Sequence, residues 1–203
     1  MYDLTLNIET EQSGLTFISP GIHENLRLAK PDGSYPITFE KSKNGNNFIA
    51  FNFLNTEGLT FVHTEYQPQD EDSTKLTKKE ANLAKRLRHI GKKFVSEDAL
   101  KAIGKVESFE QLAKAYIRII GDNYKGILLR AKIIYNNKNF TTFPNYVPFV
   151  ESMSILLEDT KLKMSPDDKV VKTKADVITP KTNPFKTQSE PTINQKPSSD
   201  LPF

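Results

Sequence analysis

Apolar residues change their spacing twice along this chain, from strand period to helix period and back, and that double switch limits the folds open to it. Residues 15–19 are cut off by Pro20-Gly21. Residues 22–30 then place Ile22, Leu26 and Leu28 on one face and His23, Asn25 and Arg27 on the other. The pattern predicts one long strand, kinked or bulged at Gly21, where a missing Cβ permits the bend. Pro31-Asp32-Gly33-Ser34 and Lys43-Asn44-Gly45-Asn46-Asn47 are turn signals. Residues 48–54 alternate, with Ile49, Phe51 and Phe53 opposite Phe48, Ala50 and Asn52. Asn55-Thr56-Glu57-Gly58 leads into residues 59–66 as a hairpin.

The middle third has helical spacing. Thr77 and Glu80 form a capping box ahead of Leu83, Leu87, Ile90 and Phe94, with Gly91 as an interruption. Ser96-Glu97-Asp98 opens a short helix that Gly104 ends. Ser108 and Gln111 are a second box, followed by the stripe Phe109, Leu112, Ala113, Tyr116, Ile117 and Ile120 and a closing Gly121. Strand period then returns. Ile127, Leu129, Ala131, Ile133 and Tyr135 share one face, and Leu128, Arg130, Lys132 and Ile134 the other. Asn136-Asn137-Lys138-Asn139 turns the chain into residues 140–146, where Pro144 marks an edge or a strand end. Residues 148–157 are expected to cover the base of the core. Three strands, a helical segment and two strands is the element order of the five-stranded Greek-key OB-fold barrel. The expected class is therefore α+β, mainly β, with a helical insertion at about residues 75–121 between strands three and four.

Residues 159–203 differ from the rest. They hold six of the 12 prolines, no glycine and, as aromatics, Phe185 and Phe203 alone. Such a stretch buries too little apolar surface to offset chain entropy, so it reads as a disordered tail behind a folded domain of residues 1–158. The chain has no cysteine, which excludes disulfide scaffolds, thiol enzymes and iron–sulfur centres. Apolar runs fall well short of the roughly 20 residues that cross a bilayer, and residues 1–10 lack a signal peptide's basic and apolar regions. A reducing cytoplasm is the expected compartment, and no membrane partner is expected.

Charge is segregated. Residues 1–74 carry 4 basic and 11 acidic side chains, whereas residues 75–138 carry 16 basic and 6 acidic. A basic block of this size suits an anionic partner. Catalytic signatures are missing: there is no phosphate-cradling glycine loop, no nucleophile elbow and no zinc motif. Asp70-Glu71-Asp72 reads as a solvated linker, and the three histidines are scattered. The expectation is a non-enzymatic protein without cofactor or metal.

What remains is cations interleaved with aromatics on a sheet. Arg130 and Lys132 share the face opposite the core run, Arg27 does the same on the first strand, and Phe48 lies on the non-core face of the second. Tyr135, Phe140 and Tyr146 crowd the last hairpin, with Phe143 beside them. Lys85, Arg86, Arg88, Lys92 and Lys93 form the densest basic stretch. Cations along a phosphate track, with rings on which bases stack, are what single-strand binders require. His23 and His63, on strands, are expected at the surface, and His89 on the polar face of its helix.

The chain ends Ser199-Asp200-Leu201-Pro202-Phe203. This resembles the tip of bacterial single-stranded-DNA-binding proteins, where an acidic run ends in proline–phenylalanine. Gly21-Ile22-His23-Glu24, Val62-His63-Thr64-Glu65-Tyr66, Leu87-Arg88-His89-Ile90, Arg130-Ala131-Lys132-Ile133-Ile134-Tyr135-Asn136 and Phe143-Pro144-Asn145-Tyr146 are similar to segments of single-stranded-DNA-binding proteins of tailed phages. The likeness covers most of residues 15–150 and the tip. It implies an OB-fold that binds single-stranded DNA without sequence preference in phage replication, recombination or repair, in the host cytoplasm. It also implies recruitment of replication or recombination proteins through Asp200, Leu201, Pro202 and Phe203. The bacterial tip is strongly acidic, whereas this tail has Asp200 alone near its end and is net positive. A homo-oligomer is compatible with the sequence. The competing reading is a phage structural or adaptor protein whose barrel binds protein, and a metal-dependent nuclease lacks its ligands.

Overall fold

A computed structural model describes residues 17–172; the tip and the rest of residues 173–203 lie outside the described residues, as do residues 1–16. Strands β1 (Gly21–Leu28), β2 (Ile37–Lys41), β3 (Asn47–Leu54) and β4 (Thr60–Tyr66) come first. Helices α1 (Ser73–Gly91), α2 (Glu97–Lys101) and α3 (Phe109–Ile120) follow, and then β5 (Leu129–Tyr135), β6 (Thr141–Thr142) and β7 (Val150–Ser152). The strands form one curled antiparallel sheet, a half-barrel. Hairpin β3–β4 pairs along its whole length, from Phe48 with Tyr66 to Leu54 with Thr60. Strand β1 joins both halves, pairing with β5 through Ile22 and Lys132 and with β3 through Leu28 and Phe53. None of the described helices is long and apolar enough to cross a membrane.

Alternation on the strands explains which side is core. Leu26 and Leu28 on β1, Ile49, Phe51 and Phe53 on β3, Phe61 on β4, and Leu129, Ala131 and Ile133 on β5 are buried together. The α3 stripe adds Phe109, Ala113, Tyr116 and Ile120, and α1 adds Leu83, Leu87 and Ile90. Serine caps hold α2 and α3 as the spacing predicts: Ala99 N–H donates to Ser96 Oγ, and Gln111 N–H to Ser108 Oγ. Gly91 is the last residue of α1. A Cβ there would lie 2.8 Å from Leu100 Cδ2 and 3.0 Å from the Tyr116 hydroxyl, so glycine is what lets the three helices approach.

Several boundaries differ from the sequence reading. Helix α1 begins at Ser73, ahead of the Thr77–Glu80 box, because Asp72 accepts the N–H groups of Thr74 and Lys75. The bulge on β1 lies between His23 and Leu26, with Asn25 at φ 56°. Strand β2 went unrecognised; Pro36 and a five-residue length hid it, yet all of it pairs with β3. The folded part also runs past residue 158. Leu162 and Asp168 are buried, and backbone from residues 160–169 answers groups on β5 and β7. One apolar anchor and one paired carboxylate hold a segment whose composition reads as tail.

Candidate nucleic-acid interface

The cations expected on the outer face of β5 are inside the molecule. Arg130 is 3% exposed and Lys132 2%. Arg130 Nε donates to Glu24 Oε1 at 2.8 Å, and Nη1 donates to Glu151 Oε1 at 2.7 Å. Both carboxylates arrive on flanking strands, since Glu151 is the direct cross-strand neighbour of Arg130 and Glu24 stands at the β1 bulge. Lys132 Nζ donates to the Tyr146 hydroxyl at 2.7 Å, to the Lys163 carbonyl at 2.8 Å and to Asp168 Oδ2 at 3.1 Å. Tyr146, half-exposed, donates in turn to Asp168 Oδ1 at 2.5 Å. Burial pushes the Asp168 carboxyl up, but the Ser165 N–H, Tyr146 and Lys132 outweigh it and hold the group below its usual range. These side chains fasten residues 150–172 across β5, and a phosphate could reach neither cation without displacing that segment.

Arg86 is likewise structural, at 5% exposure. Its Nε donates to Glu65 Oε1 at 2.8 Å, and a second guanidinium nitrogen donates to the Pro144 carbonyl. Glu65 also accepts from His63 Nε2 at 2.8 Å. His63 is therefore core rather than surface. Its Nδ1 accepts the Phe143 N–H at 3.3 Å and lies 3.2 Å from the Thr142 hydroxyl. Burial lowers its pKa, keeping the ring neutral, as the acceptor role of Nδ1 requires. Strands β4 and β6 share no backbone ladder among the described residues, so side chains close this seam. The rings of Phe61 and Phe143 lie 4.9 Å apart and those of His63 and Phe143 4.6 Å.

Three more of the basic candidates, Lys85 and Arg88 on α1 and Lys92 just past its end, line a shallow hollow with His89 and Val147. Arg88 and Lys92 both bind Glu97, and Lys93 is half-buried. His89 is half-buried too, accepting the N–H groups of Phe149 and Val150 at Nε2 instead of lying on a wet face. Arg27 is exposed on β1 and lines neither this hollow nor the groove described next.

Over the β4–β6 seam the surface has a different character. Parity turns Phe61, His63 and Glu65 inward, so Val62, Thr64 and Tyr66 face out. Two adjoining hollows of about 470 and 740 Å³ share Val62, Phe140 and Thr141 and form one groove. Its walls are the β2–β3 turn, with Asn44 and Asn46, and the β5–β6 turn, with Asn137 and Lys138. Phe17 and Lys172 stand at one end, the Lys172 ammonium 5.7 Å from the centre of the Tyr135 ring. Phe140 is 67% exposed, Phe17 64% and Tyr66 51%, while Phe48 packs 5.3 Å from Tyr66. No carboxylate is among the described residues that line the groove.

Of the candidate residues, the structure thus gathers Phe48, Tyr135 and Phe140 here and takes Arg86, Arg130, Lys132 and Tyr146 elsewhere. Sequence reasoning missed Phe17, Val62, Tyr66, Lys138 and Lys172. Alternation about Phe61 and His63 signals the outward turn of Val62 and Tyr66, but seeing it required His63 to be read as core. Comparison with protein-family models, with characterised proteins and with solved structures finds no match. The geometry of the chain itself must carry the functional reading.

Proposed function

We propose that the protein binds single-stranded DNA, without sequence preference, along the groove over the β4–β6 seam. The observation that carries this is a row of exposed rings between two amide-rich turns, with lysines at the margins and no carboxylate among the described lining residues. Rings offer stacking to any base and the lysines offer charge to the backbone, so recognition needs no particular sequence. In this reading β1, β3, β4, β5 and β6 are the five strands of an OB-fold, β2 continues the first, and α1–α3 are the insertion. The groove then coincides with the ligand face of that fold, which lies on its second and third strands between the first–second and fourth–fifth loops. The segments that resemble phage single-strand binders extend the proposal to phage replication or recombination. The tip of Asp200, Leu201, Pro202 and Phe203 serves in it as the anchor for partner proteins.

The test is anisotropy titration of labelled oligo-dT, poly-U and duplex DNA with the full chain at two salt concentrations. Oligo-dT is expected to bind more tightly than duplex, with a log–log salt slope of about −0.7 per phosphate contacted. Absence of oligo-dT binding at low salt overturns the reading and leaves the protein-binding barrel in its place.

A further inference from the structure

Hydrogen bonds already made inside the fold fix which hydrogens and lone pairs the groove has left to offer. Thr142, on β6, lines the larger of the two hollows. Its hydroxyl lies 3.2 Å from Nδ1 of the buried His63. The other groups on that ring set the direction of the contact. The Phe143 N–H, which can only donate, reaches the same Nδ1 at 3.3 Å, so this nitrogen carries no hydrogen. The ring hydrogen sits on Nε2 and goes to Glu65 Oε1 at 2.8 Å. Thr142 is therefore the donor to His63. A hydroxyl has one hydrogen and two lone pairs, so Thr142 has acceptor capacity alone left for the groove.

Asparagines on the two walls are committed in the opposite sense. Asn46 Oδ1 accepts from Gln69 Nε2 at 3.1 Å. Asn136 Oδ1 accepts the N–H groups of Lys138 and Phe140 at 2.9 and 3.1 Å. With their oxygens engaged, both amides have N–H groups to give. The seam thus accepts at Thr142, while the walls donate and carry Lys138. A phosphodiester has acceptors and no donor, so it suits the walls and not Thr142. The Watson–Crick edge of each base does carry a donor: N3–H of thymine, N1–H of guanine, and the exocyclic amines of cytosine and adenine. An acceptor at the seam therefore requires no particular sequence. In a duplex the same hydrogens are spent on the opposite strand.

We infer that Thr142, its hydroxyl hydrogen held by His63, accepts from the Watson–Crick edge of a bound base, so that a strand lies with its bases on the seam and its backbone along the walls. The contact is one that paired strands cannot make, and it rests on the single-strand binding proposed above.

The test compares oligo-dT with the same oligomer built from N3-methylthymidine, which keeps the charge and the stacking ring and lacks the N3 hydrogen. In anisotropy titrations of the full chain, the methylated strand is expected to bind roughly two- to tenfold more weakly, the range for one neutral hydrogen bond. Thr142→Val keeps the branched Cβ and loses the oxygen, and is expected to bind both strands alike with the parent salt slope. Thr142→Ser is expected to restore the difference, and Thr142→Ala takes the place of the valine variant if that one fails to fold. Equal binding of the two strands by the parent overturns the inference and leaves single-strand binding standing. A difference that survives removal of the hydroxyl overturns the assignment to Thr142. A lowered salt slope in that variant puts a phosphate at the seam and overturns the placement of the bases. If the parent binds neither strand at low salt, the function proposed above falls and this inference falls with it.

Discussion

Two cationic regions of this half-barrel carry similar residues and differ in what surrounds them. On the far side of β5, Arg130 and Lys132 meet Glu24, Glu151 and Asp168 and are sealed under residues 150–172. Over the β4–β6 seam, Lys138 and Lys172 stand beside bare rings, with no acidic group among the described residues that line the surface. The first arrangement spends its charge on fastening the fold, and the second leaves it open to an external anion. A count of basic residues does not separate the two, since separation depends on where the carboxylates arrive.

The largest effect is expected at a third buried cation, Arg86, which like Arg130 and Lys132 is committed to a carboxylate inside the molecule. Arg86→Met leaves Glu65 uncompensated beside His63 and is expected to cost about 3–5 kcal/mol, read by urea denaturation. Adding Glu65→Leu should recover part of the loss, because removing both ions relieves the unpaired one. At the groove, Tyr66→Ala and Phe140→Ala should each weaken oligo-dT binding by about 1–3 kcal/mol per base stacked. Their exposure predicts an almost unchanged denaturation midpoint. If instead these two unfold the protein while Arg86→Met leaves it intact, the division drawn between the regions is wrong.

Acid should act on the buried side as well. Burial first, then Lys93, lowers the His89 pKa from 6.5 to about 4. The unfolded chain therefore takes up that proton first, so this contribution to stability falls as pH drops from 6.5 toward 4. His63, lowered by burial, acts in the same direction. For Glu65, burial raises the pKa, but His63 and Arg86 outweigh it, so its contribution is lost at lower pH still. His89→Gln should flatten the upper part of the decline in denaturation midpoint. A smaller change is expected in Lys138→Ala, which should reduce the salt slope of oligo-dT binding by about 0.7 if that lysine meets one phosphate. Oligo-dT binding measured with Lys85→Ala should keep the parent slope, since the α1 hollow is separate from the groove.

Much of the fold is legible in the residues. Alternation places Leu129, Ala131 and Ile133 in the core, and the helical stripe from Phe109 to Ile120 does the same for α3. Serines 96 and 108 mark two helix starts. Local chemistry is enough for the two caps, because the N–H that each serine accepts lies three residues on. The site is less legible. Phe48, Tyr135 and Phe140 could be picked out as rings on strands or turns, but Phe17 shows its place only through its bridge to Thr60. Val62 and Lys172 become neighbours of Phe140 only when the sheet curls. Reading Arg130 and Lys132 as an outer face used parity correctly and still misjudged their surroundings.

The amino-acid order by itself determined the strand–helix–strand succession, the inward set of apolar side chains and the number of cations available. Only the tertiary structure decided which of those cations meet water. Periodicity assigns a side chain to a face, but it does not say what comes to lie over that face. For Arg130 the answer came from Glu24, 106 residues earlier, and for Lys132 from Asp168, 36 residues later. Pairing between such distant groups exists only once chain closure has brought them together.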